Sequence, residues 1–121
     1  MQNNAHVDLM VAAAALKMMA DLFLNGQSTR DPLAAPLHAD LTGIAPIYVQ
    51  VGGEEALLDD STRLATIAAA AGVDVRLDVF PEMQHVFQLS AGNMPEADDA
   101  IARIAAWLRP KLGLTGSLPK A

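Results

Sequence analysis

Two residues of this chain have the chemistry and placement to work as an acid–base pair, Glu55 and His85. The acid follows the run Ile47-Tyr48-Val49-Gln50-Val51-Gly52-Gly53. The histidine follows residues 73–80 and then Pro81-Glu82-Met83-Gln84. Both runs read as strands, so each group stands just past a strand end. A carboxylate that accepts the Nδ1–H of an imidazole fixes its tautomer and stabilises the imidazolium that forms when the ring takes a proton. An acid after one strand and a histidine after the next is the order of the last two members of a Ser–acid–His triad, which a serine in a G-x-S-x-G turn precedes. This chain contains no such turn. Acid and base are present and the nucleophile is missing. The plainer alternative is a histidine hydrogen-bonded within its loop and a glutamate solvated at a helix start, and Glu54 and Asp59 stand as rival acids.

The elements that must position the pair are short. Residues 9–24 are predicted to form a helix capped by Asp8 and stopped by Asn25-Gly26. Leu16, Met19, Ala20 and Phe23 share one face and are expected to face the core. Met18, Met19, Leu22 and Phe23 could instead line an acyl pocket, since methionine adapts to irregular apolar ligands. A connector dense in turn residues follows over 27–46, and its His38 reads as a solvated loop histidine.

Residues 47–51 form a β-branched and aromatic run without clean alternation, which predicts a strand buried on both faces of a parallel sheet. A helix over 58–71 ends at Gly72 and carries Asp59 and Asp60 in its first turn, where the dipole favours them. Its apolar stripe is Leu64, Ile67, Ala68 and Ala71. Residues 74–80 alternate, as a strand near a sheet edge does. A last helix over 95–109 opens on Pro95 and closes before Pro110 and Gly113, with Ala97, Ile101, Ile104, Ala105 and Leu108 as its expected buried face. Residues 115–121 read as a loose tail.

Strand, helix, strand in so short a stretch is one right-handed βαβ crossover with flanking helices and parallel strands. The fold class is therefore α/β, and the sheet is incomplete: a strand buried on both faces needs neighbours on both sides, and the chain supplies only one. In open parallel sheets ligands bind beyond the carboxyl ends of the strands, which is where Glu55 and His85 fall.

Composition narrows the function. At 121 residues the chain suits one small domain, and 52 % hydrophobic against 18 % charged residues excludes general disorder. The mean hydropathy is positive, an excess that points to surface meant to be covered. A net charge of −6, with only eight Lys and Arg and no basic run, argues against a nucleic-acid partner. With no cysteine there is neither a disulfide nor a thiolate metal site. No loop of Ca²⁺-binding spacing and no phosphate-cradling glycine motif is present, so no cofactor and no metal is expected. The start lacks the positive region of a secretory signal, and the longest apolar stretch is interrupted by Lys17 and Asp21. The expectation is a cytoplasmic chain without a membrane span.

From about residue 31 to 112 the sequence resembles the hormone-sensitive-lipase-like (family IV) esterases of the α/β-hydrolase superfamily. Asp31-Pro32-Leu33-Ala34-Ala35-Pro36-Leu37 is similar to the family's approach to the acid-bearing strand. Glu55-Ala56-Leu57-Leu58-Asp59-Asp60 is similar to its D-P-L-x-D-E acid motif, Ala70-Ala71-Gly72-Val73 to its helix end, and His85-Val86-Phe87 to its H-G-F. The resemblance implies the C-terminal part of an α/β-hydrolase fold over residues 1–121, with Glu55 as the triad acid and His85 as the base. It departs from the family where Glu replaces the commoner Asp and Val86 replaces glycine. The family's upstream H-G-G-G segment and serine elbow are absent.

The implied function is carboxylic ester hydrolysis, with a small ester of short or medium acyl chain as substrate in a full-length parent. The alternative is a non-catalytic truncated chain or interaction fragment. A dimer or a complementing chain could pair through the sheet edge at 73–80.

Overall fold

The crossover organises the chain. The computed structural model describes Asn4 and residues 6–114, so the tail expected at 115–121 lies outside the described residues. Strand β1 (Ile47–Gly52) and strand β2 (Val75–Phe80) pair in parallel, Ile47 opposite Val75 through Gly52 opposite Phe80. Three helices accompany them: α1 (Ala13–Leu24), α2 (Leu58–Ala70) between the strands, and α3 (Pro95–Lys111). Short 3-10 turns occupy Pro36–His38 and Phe87–Ser90. The chain divides into two compact units, Met1–Phe87 and Gln88–Ala121.

In the first unit, α2 folds back on the crossover because its apolar residues recur at helical spacing. Buried Ala68 joins Leu41 and Val73, and Leu64, Ile67, Ala71, Ile47 and Val75 pack around them. The helix stops by a glycine device. Gly72 takes φ +80°, its N–H reaches the Ala69 carbonyl, and the Val73 N–H reaches the Ala68 carbonyl at 3.0 Å.

The other face of the strand pair is polar, which differs from the expectation for 47–51. Residues 47–50 are half-buried, and only Val51 and Gly52 of β1 are buried. Register accounts for this, since Tyr48 and Gln50 stand opposite Arg76 and Asp78. Tyr48 donates its hydroxyl to Asp78 Oδ2 at 2.6 Å, and Arg76 grips both oxygens of Asp78 at 2.8 and 3.1 Å. The Arg76 guanidinium also lies 4.7 Å from the centre of the Tyr48 ring. A run that reads as apolar thus carries half of a polar cluster whose other half sits on β2.

Helix α1 also departs from expectation. It starts at Ala13 rather than at residue 9, its N-cap is Ala12, and none of its residues is buried. The expected core stripe is largely open, with Met19 and Phe23 exposed beside Met18 and Leu22. Asn25 ends the helix in the left-handed conformation, φ 45°, with its N–H on the Asp21 carbonyl.

In the second unit, α3 opens on Pro95 and runs through Pro110 to Lys111, two residues beyond the expected end. A proline in the last turn removes a single hydrogen bond, and Arg109 and Lys111 suit the negative end of the dipole. Its buried residues are Ala97 and Ala100, while Ile101 and Leu108 are exposed. Of the face expected from sequence, Ala97 is buried and Ile104 and Ala105 are half-buried, while Ala100 is buried outside it.

Candidate active site

Two loops leave the carboxyl ends of the paired strands, and close backbone contact locks them together. The Gly53 N–H donates to the Phe80 carbonyl at 2.7 Å, and the Glu54 N–H donates to the Met83 carbonyl at 3.1 Å. Gly52 makes this approach possible. A Cβ there would overlap the Met83 carbonyl oxygen and lie 2.8 Å from the Gln84 carbonyl oxygen. Gly53 is less tight, since a Cβ there would lie 3.2 Å from the Pro81 Cα. Gly52 is thus a steric requirement of bringing the two loops together.

On this platform the structure brings Glu55 and His85 together. Glu55 is only 6 % exposed, yet both of its oxygens are engaged. Oε2 accepts the Gly52 N–H at 2.9 Å, and Oε1 stands 3.3 Å from His85 Nδ1. The Gly52 amide fixes the rotamer of the carboxylate, so the second oxygen faces the imidazole without freedom to turn away. His85 itself is partly exposed.

Of the rival acids, Glu54 contacts the Gln84 side chain at 3.2 Å, and Asp59 lies in the first turn of α2. Among the described residues the carboxylate against His85 Nδ1 is that of Glu55.

The base loop is held at its two ends. Phe80 and Phe87 are both buried, their ring centres 4.9 Å apart, so residues 81–86 form a loop pinned by an aromatic pair. Within it Glu82 and Val86 adopt left-handed backbone conformations, φ 61° and 51°. Val86 occupies the position where the resembled H-G-F motif has glycine. The positive φ gives the physical reason for a glycine there.

A third segment is stitched to both loops, and sequence reasoning missed it. Asn4 Nδ2 donates to the Gly53 carbonyl at 2.8 Å and the Glu55 carbonyl at 3.2 Å. Asp8 Oδ2 accepts the Ala56 N–H at 2.7 Å. Gln84 Oε1 accepts the Leu9 N–H at 2.9 Å, and its Nε2 donates to the Val7 carbonyl at 3.2 Å. The one sequence signal was Asp8, which reads there as the cap of a helix starting at residue 9. Asp8 explains the late start of α1. Its Oδ1 takes the Met10 and Val11 amides, both at 2.8 Å, in a local turn, while Oδ2 reaches across to Ala56.

His38 lies elsewhere, exposed on its 3-10 turn. It borders a cavity of about 450 Å³ lined mainly by apolar groups, among them Pro36, Leu57 and Leu64, with Ser61 also on its wall. Neither Glu55 nor His85 lines that cavity.

The profile of the α/β hydrolase fold family matches residues 1–89. An acetyl-hydrolase of Streptomyces hygroscopicus is 41 % identical over 106 residues, which cover 88 % of this chain and 36 % of that protein. An esterase of Acinetobacter venetianus is 44 % identical over 75 residues, 62 % of this chain and 25 % of that protein. Among solved structures, an esterase from the bacterial hormone-sensitive lipase family superposes with a TM-score of 0.87 at 48 % identity, over 90 % of this chain and 37 % of that one. The chain belongs to the α/β-hydrolase fold family, on its hormone-sensitive-lipase-like esterase branch. It spans between a quarter and just over a third of the length of these relatives. Among the described residues no helix is long and apolar enough to cross a membrane.

Proposed function

We propose that this chain is the acid- and base-bearing portion of a carboxylic ester hydrolase, with His85 as general base and then acid and Glu55 as its orienting carboxylate. The observation that carries the reading is the 3.3 Å approach of His85 Nδ1 to a buried glutamate whose other oxygen is held by the Gly52 amide. With Nδ1–H donated to Glu55, Nε2 is the atom that exchanges a proton with substrate. A serine supplied by sequence outside these residues attacks the ester carbonyl carbon and passes its proton to Nε2. Collapse of the tetrahedral adduct expels the alcohol, which takes that proton and leaves an acyl-enzyme. Water then repeats the two steps and releases the acid.

Substrates are small esters of short or medium acyl chain. The open apolar side chains of Met18, Met19, Leu22 and Phe23 are available to one wall of an acyl pocket.

In the complete protein carrying this segment, Glu55→Ala and His85→Ala each lower kcat for a nitrophenyl ester by about a thousandfold or more, measured beside an unchanged unfolding midpoint. Near-normal rates in either variant overturn the assignment. A second reading, a non-catalytic chain that pairs with another polypeptide, is favoured by the absent serine elbow together with the open apolar face of α1.

A further inference from the structure

The acid loop, the base loop and residues 4–11 meet through side chains from positions far apart in sequence. The Asp8–Ala56 bond spans 48 residues and the Gln84–Val7 bond spans 77. Asp8 stands at the centre of this stitching. Three backbone amides converge on its carboxylate, those of Met10 and Val11 at 2.8 Å and that of Ala56 at 2.7 Å. Ala56 directly follows the buried acid and is itself buried. A hydrogen bond on its amide therefore fixes the peptide plane from which the Glu55 side chain is aimed.

Asn4 holds the same turn from its carbonyl side, at Gly53 and Glu55. Two polar side chains of one segment thus grip both the donors and the acceptors of the acid-bearing turn. Gln84, next to His85, is gripped by that segment too.

We propose that Asp8 is a positioning residue for the Glu55–His85 pair, anchoring the acid-bearing turn through the Ala56 amide. This rests on the reading of Glu55 and His85 as orienting acid and base. Asp8 touches neither substrate nor the reacting atoms; it acts through the turn that carries Glu55. Burial pushes its carboxyl upward, but the amides of Ala56, Met10 and Val11, with the positive charge of His85, outweigh that and hold it below the ordinary carboxylate value of 3.8. The charge is therefore present throughout the range in which a histidine titrates. The other carboxylates about the base loop are Glu55 against the ring, Glu54 on the Gln84 side chain, and Glu82 within the loop itself.

The test follows hydrogen exchange at the Ala56 amide in the isotopically labelled protein, with the Ala68 amide in the core of α2 as internal reference, and kcat and KM for a nitrophenyl ester in the complete protein carrying this segment. Asp8→Ala is expected to speed Ala56 exchange about tenfold with Ala68 unchanged. It is also expected to lower kcat about tenfold with KM little changed, as loss of aim at the acid–base pair does. Asp8→Asn keeps an acceptor oxygen; it should retain part of the Ala56 protection and part of kcat, and it serves as the test if the alanine variant fails to fold. Wild-type exchange and kcat in the variants overturn the proposal. So does an equal rise at Ala56 and Ala68, which would make Asp8 a general stabiliser of the fold. Glu55→Gln separates the two readings. If it leaves kcat near normal, the acid–base pairing itself falls; if it lowers kcat while the Asp8 variants do not, the pairing stands and the positioning role falls.

Discussion

Val86 is a β-branched residue held at φ 51°, a conformation whose cost for an L side chain is about 1–2 kcal/mol. It is 40 % exposed, so little packing offsets that strain. Val86→Gly is expected to stabilise the protein by about 1 kcal/mol, after subtracting glycine's greater freedom in the unfolded chain. Urea unfolding measures this, and a loss of stability of that size would show that Val86 packing outweighs its backbone strain. Other residues were readable from sequence to different depths. Glu55 and His85 could be named because each follows a strand-like run and the runs are successive. Asp8 could be named only as a helix cap, since a carboxylate that folds its own local turn leaves the same local pattern. Its other partner, Ala56, is a backbone amide, and a backbone amide leaves no mark in a sequence. Gly52-Gly53 was visible as a pair, but the need for a glycine at Gly52 arises from Met83 and Gln84 on another loop.

At the scale of elements, the paired strands carry a polar cluster that has a measurable signature. Burial of Tyr48, the hydrogen bond it donates to Asp78 and the charge of Asp78 raise its ionisation above the ordinary 10.0, against weaker opposition from Gln50 and Arg76. A phenol whose folded value is raised adds stability below its unfolded value and loses it as pH rises through the folded value. The contribution is therefore complete at neutral pH and fades in the alkaline range. Tyr48 is the only tyrosine, so absorbance near 295 nm follows it directly. Ionisation above that of free tyrosine is expected, with Asp78→Asn bringing it back down; a midpoint at or below the free value would count against the cluster. The strand and helix cores were legible because apolar period and glycine stops agree, as at Leu64, Ile67, Ala68 and Gly72. Helix faces were less so. The α3 sequence offers both a large apolar stripe and a line of alanines, and the choice between them depends on what the helix meets, which no local period encodes.

For the whole molecule, the sequence holds four serines, Ser28, Ser61, Ser90 and Ser117, and among the described residues Ser28, Ser61 and Ser90 sit in no strand-to-helix elbow. The purified chain is expected to show no covalent labelling by a fluorophosphonate in intact mass and no turnover of a short nitrophenyl ester. Labelling with turnover would mean that one of these serines is the nucleophile and that the acid–base pair does not need one from outside. The whole-molecule reading of an α/β sheet was legible from the single crossover alone. The position of residues 4–11 was not, because their bonds run to loops scores of residues away.

That separation has a consequence in time. The segment holding Val7 leaves the ribosome well before its partner Gln84, 77 residues later. At about 5–20 residues per second, the interval is roughly 4–15 s. The same segment meets the acid-bearing turn at Gly53, Glu55 and Ala56, all of which are made before Gln84. Its docking can therefore come in two stages, the acid-bearing turn first and Gln84 seconds later.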